Sequence, residues 1–394
     1  MSVREIRGGV ASADGFLAGS ATAGLRSRPL PDLALLACAD GLASAAAVFT
    51  TNRFAAAPIE IARRHLASNG GRIRAVVANA GCANAGTGAD GLQAALRMAA
   101  AAAAKLGCKP EEVLPASTGL IGSRLRIDRI EAALAGMKLR RGSPAGAAAA
   151  RAILTTDTRP KQAAVESAGF VVGGMAKGSG MIHPQMATML GFVTTDADAS
   201  PQLLQQVLHH AVERSFNQVS VDGDASTNDM VVLLASGASG VHASADDLAD
   251  AVTAVARSLA MQIAADGEGA RSRIDVTVTG APDDAAARKI ARGVAASSLV
   301  KAAVHGGDPN WGRIASAAGQ VADELDPGRL RIGIGEQVVF EGSPCDYDER
   351  RASRALRARV VPLTLDLGIG DGTGEAWGCD LSAEYVAINS EYRT

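Results

Sequence analysis

The sequence predicts an α/β (α+β) fold, a layered sandwich of mixed sheets covered by helices. Stretches of helical period and runs of strand-forming residues both recur along the 394 residues, without a strict strand–helix–strand repeat. Hydrophobic residues make up 47% of the chain and charged residues 20%, so a sizeable core is affordable in one large unit or two or three ordinary domains. Aromatics reach only 3% while Ala and Gly abound, so that core must be close-packed from small and branched aliphatic side chains.

Taken in order, Ile73–Ala78 is a short apolar run ending in the turn-rich NAGCANAGTG (79–88), which reads as a buried strand feeding a loop. A helix over Leu92–Leu106 follows, closed by Gly107. Ser200-Pro201 supplies an N-cap and a first-turn proline to a helix reaching about Glu213, with Leu204, Val207, Leu208 and Ala211 on its apolar face. A second strong helix starts at Ser244, where Asp247 makes a capping-box-like pattern; Leu248, Val252, Val255, Leu259 and Ile263 then recur at helical spacing. Strands are expected at Met189–Val193, Met230–Ala235, Ile274–Val278, Leu330–Ile334, Val338–Phe340, Val360–Leu367 and Tyr385–Ile388.

Composition also excludes function classes. Net charge is -2, and no basic stripe interleaved with aromatics occurs, which argues against nucleic acid as a partner. Lys138, Arg140 and Arg141 read as a solvated helix end. Cys38, Cys82, Cys108, Cys345 and Cys379 are odd in number and widely spaced, a pattern of free thiols in a reducing cytoplasm. The first ten residues carry charge with no apolar run behind them, unlike a secretory signal. Ala94–Leu106 is too short and too polar to span a bilayer. None of the six histidines shows metal-ligand spacing, so no metal is expected. A soluble cytoplasmic protein is expected.

One segment stands apart: GGMAKGSGMIHPQMATMLGFVTTD, residues 173–196. A glycine-rich stretch holds a single lysine, Lys177, and leads through Ala187-Thr188 into the apolar strand. Most such loops are plain turns. Lys177 is followed by glycine, so this is not a Walker A loop, and a strand where a dinucleotide fingerprint needs a helix excludes that reading too.

The segment resembles the self-cleavage site of the ornithine acetyltransferase family, the bifunctional glutamate N-acetyltransferases of arginine biosynthesis. VFTTNRFAAAP (48–58), ASTGLIG (116–122), TTDTRPK (155–161), SFNQVSVDGDASTNDM (215–230), DPNWGRI (308–314) and GCDLSAEYVAINSEYRT (378–394) resemble other blocks of that family, in matching order from end to end. Gln185, Cys82 and Gly86 depart from the usual pattern without removing a group given a role below.

The resemblance implies a self-processing fold of the N-terminal-nucleophile type, cut at Ala187-Thr188 into a chain 1–187 and a chain 188–394. Thr188 becomes the nucleophile, and its new α-amine, of reference pKa roughly 7.7–8.0, becomes its base. Thr118 and Gly119 match the oxyanion hole; Thr155, Lys177, Thr188, Glu268, Asn389 and Thr394 match substrate ligands. The implied reaction carries acetyl from N-acetylornithine to glutamate through an acetyl-Thr188 ester. No bound cofactor is implied, and acetyl-CoA as a second donor is left open. The two chains are expected to stay together and pair into a heterotetramer. His183 reads as structural, because the α-amine supplies the base. Two other readings stand beside this one: a self-processing aminopeptidase or amidase with water as acceptor, and a non-catalytic binding protein of the same fold.

Overall fold

The computed structural model describes residues 3–27, 29–183 and 189–391. Two sheets face one another and a third forms a separate lobe. The first contains, in spatial order, β1 (Arg4–Ile6), β8 (Lys161–Ser167), β9 (Phe170–Lys177), β10 (Leu190–Thr195), β12 (Met230–Ala235), β4 (Ala43–Phe49) and β5 (Arg72–Ile73). Only β10 and β12 run parallel; the other neighbours are antiparallel. The second has β2 (Phe16–Ala21), β3 (Leu33–Cys38), β6 (Ala75–Cys82) and β7 (Val113–Leu120), with β6 and β7 parallel.

Strand alternation sorts side chains into the layers. Along β12, Val231, Leu233 and Ala235 point toward α5 (Pro201–Glu213) and α6 (Ala245–Ala264), while Met230, Val232 and Leu234 point toward the second sheet. Along β3, Ala34, Leu36 and Cys38 share that inter-sheet core, whereas Leu33, Leu35 and Ala37 pack under α2 (Gly88–Leu106) and α3 (Ile127–Gly136). The result is helix, sheet, sheet, helix. Two further helices, α1 (Ala57–Ser68) and α4 (Ser143–Ala152), contribute Ile59, Ala62, Ala149 and Ala150 to the inter-sheet core. Small residues there let the sheets approach, as the composition requires.

The third sheet is ordered β11 (Val219–Ser220), β17 (Gly372–Cys379), β13 (Arg273–Ala281), β16 (Val360–Asp366), β14 (Arg331–Ile334) and β15 (Gln337–Glu341). It packs with α7 (Asp284–Ala296), α8 (Ser298–Gly306), α9 (Trp311–Val321) and α10 (Glu349–Leu356) around its own core. Trp377 and Cys379 reach into the core beneath α6 and fasten this lobe to the sandwich. Among the described residues, no helix is long and apolar enough to cross a membrane, and no cluster of His, Cys, Asp and Glu could hold a metal ion.

Both serine caps form as expected: Ser200 accepts the amide of Leu203 and Ser244 that of Asp247. Three expectations are corrected. The strand expected at Ile73–Ala78 starts at Ala75 and runs on to Cys82, Ile73 pairing instead with β4 as part of β5, because β3 and β7 give the backbone of Asn79–Cys82 ladder partners. The helix expected at Leu92 begins at Gly88. Tyr385–Ile388 is not a strand but part of α11 (Ala383–Glu391), where Ser382 Oγ accepts the Tyr385 amide at 3.2 Å. Four apolar residues cannot separate helix from strand by period alone, and a serine cap decides it here.

Candidate active site

One cleft collects Thr118, Gly119, Thr155, Lys177, Glu268 and Asn389, six of the eight residues expected at the site. The remaining two, Thr188 and Thr394, lie outside the described residues, as does Ala187. Larger hollows, such as one along β2 and α3, are more open and do not gather such a set of polar groups.

The cleft wall at Thr118-Gly119 is made by a distortion between β6 and β7, where Cys82 faces both Thr118 and Leu120. Gly119 has φ +127°, and a Cβ there would lie 2.5 Å from the Gly81 carbonyl carbon and 2.6 Å from the Cys82 nitrogen. Only glycine fits. Asn79, buried in the extended β6, accepts from Ser117 Oγ at 2.6 Å and donates to the Cys82 carbonyl at 2.9 Å, which locks the irregularity in place. Thr118 Oγ1 accepts from Lys177 Nζ at 3.2 Å.

Lys177 ends β9 and is only 2% exposed. Burial pushes its ammonium below the usual lysine range, and the neighbouring Lys161 adds to this; Asp157, Asp229 and Glu268 pull it back. Behind it sits a buried ion cluster. Lys161 Nζ donates to Asp157 Oδ1 and to Asp266 Oδ2, both at 2.6 Å. Burial alone would raise the Asp157 carboxyl, but Lys161 and Lys177 hold it down, to about 2. Asp157 also accepts the amides of Gly178 at 2.7 Å and Thr155 at 3.0 Å. Asp266 accepts the Thr158 amide at 3.1 Å and the Thr158 hydroxyl, and its carbonyl takes Ser179 Oγ at 2.7 Å. Three walls of the cleft, at Thr155, Lys177 and Glu268, are thereby fixed to one ammonium group.

Glu268 is buried, with its amide on the Ser179 carbonyl at 3.0 Å. Its Oε2 accepts from Asn389 Nδ2, on α11, at 2.8 Å. A side chain at Gly180 would collide with the Glu268 carboxylate, so glycine keeps that acid in place. A carboxylate beside an amide group suits an amino-acid head group or an ammonium.

The loop between β11 and β12 grips both flanks of residues 184–188. On one side Asp222 accepts the Ile182 amide at 2.9 Å and the Met181 amide, holding Met181 at φ +57°. On the other, Asp229 Oδ1 accepts the Met189 amide at 2.9 Å. Between them, Asn228 Nδ2 donates to the carbonyls of Ala83 at 2.6 Å and Ser117 at 3.0 Å, fastening the loop to the Thr118 wall. The His183 ring bonds Ser220 Oγ at 3.2 Å, and burial pushes it below the usual histidine range.

Asp157, Lys161, Asp222, Asn228, Asp229 and Asp266 were not singled out from the sequence. Five of them fall inside or at the edge of the quoted blocks TTDTRPK and SFNQVSVDGDASTNDM. The exception, Asp266, stands two residues before Glu268. Nothing local marks them, because their burial depends on strands distant in the chain.

Comparison with known proteins bears on this cleft. The sequence profile of the ArgJ family matches residues 17–394. The arginine biosynthesis bifunctional protein ArgJ of Thermosynechococcus vestitus is 46% identical over 99% of both chains. That of Thermus thermophilus is 48% identical over 96% of this chain and 98% of its own. A crystal structure of arginine biosynthesis bifunctional protein argJ from Bacillus halodurans aligns with TM-score 0.51 and 43% identity, covering 52% of this chain and 100% of that one. A match of this extent leaves one conclusion: the chain belongs to the ArgJ family.

Proposed function

We propose that the chain cuts itself between Ala187 and Thr188, and that Thr188 then carries an acetyl group from N-acetylornithine to glutamate in arginine biosynthesis. The observation that supports this most is the convergence, in one cleft, of the Thr118-Gly119 wall, the buried Lys177 and the Glu268–Asn389 pair, with the Met189 amide anchored beside them. In the first step Thr188 Oγ attacks the Ala187 carbonyl carbon, the peptide C–N bond breaks, and the hydroxyl proton passes to the nitrogen. Water hydrolyses the ester and leaves Thr188 with a free amine.

In each later turnover that amine takes the Oγ proton as oxygen attacks the acetyl carbonyl. The proton then goes to ornithine as its C–N bond breaks. Glutamate's amine attacks the ester carbonyl, one of its own protons passes through the Thr188 amine to Oγ, and the ester C–O bond breaks. Thr118 and Gly119 serve as the oxyanion wall, where removing one donor costs about 2.7–4 kcal/mol. Lys177 binds a carboxylate, and Glu268 with Asn389 takes the amino-acid end of the donor; Thr155 and Thr394 complete the pocket. The proposal includes acetyl-CoA as a second donor, with no bound cofactor, and a cytoplasmic setting.

The cut would fall between β9 and β10, which are adjacent antiparallel strands. Pieces 1–187 and 188–394 would share one sheet, since β12 also pairs with β4. That supports their staying together, and a heterotetramer of two such pairs is the proposed assembly.

The test combines intact mass with an acetyl-transfer assay. Expected are two fragments, the second starting at Thr188, and transfer from N-acetylornithine that requires glutamate. Acetate release independent of glutamate would mean hydrolysis instead.

A further inference from the structure

Lys177 makes a contact that carboxylate binding does not use. It ends β9, in the first sheet, where it is paired with Leu190 of β10. Its Nζ reaches the second sheet and donates to Thr118 Oγ1, on β7, at 3.2 Å. Both residues line the cleft and both are buried, at 2% and 3% exposure. The bond thus joins the two sheets within the oxyanion wall.

The direction of this bond fixes a hydrogen. A lysine ammonium has three N–H donors and no acceptor, whereas a threonine hydroxyl has one donor and two acceptor sites. With Oγ1 accepting from Lys177, the Thr118 hydrogen must point elsewhere. Among the described residues it goes to no other protein group, and the cleft is the space beside it. A hydroxyl that accepts from a cation is also a stronger donor, because the bond draws electron density from its oxygen. The ammonium is itself supported: Asp157, Asp229 and Glu268 favour its charged form against burial and against Lys161.

We propose that Lys177 is a positioning residue for acyl transfer, which turns the Thr118 hydroxyl hydrogen into the cleft and polarises it as an oxyanion donor. When the acetyl carbonyl is attacked, the electron pair of its C=O bond moves to oxygen. The hydroxyl donates to that oxygen and keeps its proton; on collapse the pair returns and the leaving group departs. Two N–H bonds of Lys177 remain for a substrate carboxylate, so one ammonium serves both purposes.

The inference rests on the reading of Thr118 and Thr188 given above, so wild type is first checked by mass for fragments 1–187 and 188–394. Their absence would defeat that reading and not this inference alone. Initial rates of transfer from N-acetylornithine to glutamate then compare wild type, Lys177→Met, Thr118→Val, the double variant and Thr118→Ser. A variant that folds but stays uncut is remade as co-expressed chains 1–187 and 188–394, which need no cutting.

Thr118→Val is expected to lower kcat about 100- to 1000-fold, and Thr118→Ser, which keeps the hydroxyl, less than about ten-fold. Lys177→Met is expected to lower kcat roughly ten-fold or more beside Thr118. In Thr118→Val, with no hydroxyl to orient, it should lower kcat less than about three-fold. Lost carboxylate binding raises KM in both backgrounds and produces no such coupling. A kcat loss from Lys177→Met that is equal in the two backgrounds, or a change confined to KM, would overturn the proposal. Wild-type kcat in Thr118→Val would remove the hydroxyl from the wall, and the proposal with it.

Discussion

Two buried aspartates near Lys177 receive opposite treatment. Asp157 has a cation at 2.6 Å and two backbone amides, and its carboxyl lies at about 2. Asp229 accepts the Met189 amide at 2.9 Å and is drawn also by Lys177 and Ser226, yet burial outweighs them and pushes its carboxyl well above the usual range. Equal burial therefore does not imply equal purpose. The compensated carboxylate belongs to a frame that holds the Thr155, Lys177 and Glu268 walls together. The other anchors the Met189 amide at the head of β10.

The contrast breaks most sharply at Lys161. Lys161→Met strands Asp157 and Asp266, and removing one partner of a buried pair costs about 3–5 kcal/mol; a denaturant titration should show this loss. Next comes the oxyanion wall, which depends on the frame for its placement. Gly119→Ala forces a Cβ into the Gly81 and Cys82 backbone, and kcat/KM for acetyl transfer should fall about 100- to 1000-fold while the protein remains folded.

Acid tests Asp157 directly. Its folded carboxyl sits below the ordinary 3.8, so its contribution is present above that value and is lost as pH falls through about 2. The size is roughly 2 kcal/mol, and Asp157→Asn should flatten that part of the stability–pH curve. Asp229 should behave in the reverse sense. Asp229→Asn should leave stability near pH 7 unchanged or raise it by up to about 1 kcal/mol in a denaturant titration, because burial already disfavours the charged form of that acid. The smallest effect is expected at the cleft rim. Asn389→Ala loses one hydrogen bond to Glu268 and should raise the donor KM about two- to ten-fold, as read from initial rates.

What the sequence disclosed follows from how local each signal is. Caps at Ser200 and Ser244, and the apolar faces behind them, were legible because the deciding contacts lie within four residues. The apolar run of β12 was legible as a strand, but its two faces serve different cores, which only the stacking of sheets reveals. Tyr385–Ile388 misled because a four-residue apolar run carries no period, and Val386 is largely exposed on its helix. At the site, Thr118, Gly119, Thr155, Lys177, Glu268 and Asn389 were reached through whole-block resemblance and are brought into one cleft. Lys161 and its two aspartates were missed. Asp157 stands only four residues from Lys161, but Asp266 joins them from 105 residues away, and nothing near any of them announces burial.

The account turns on a threonine that gains its own base by becoming a chain end. Intact mass spectrometry after brief exposure to N-acetylornithine, with no glutamate present, tests this most directly. The account predicts an unaltered fragment 1–187 and a fragment 188–394 heavier by one acetyl group, carried on Thr188 and released when glutamate is added. A full-length chain that transfers acetyl while still joined at Ala187-Thr188 would contradict it.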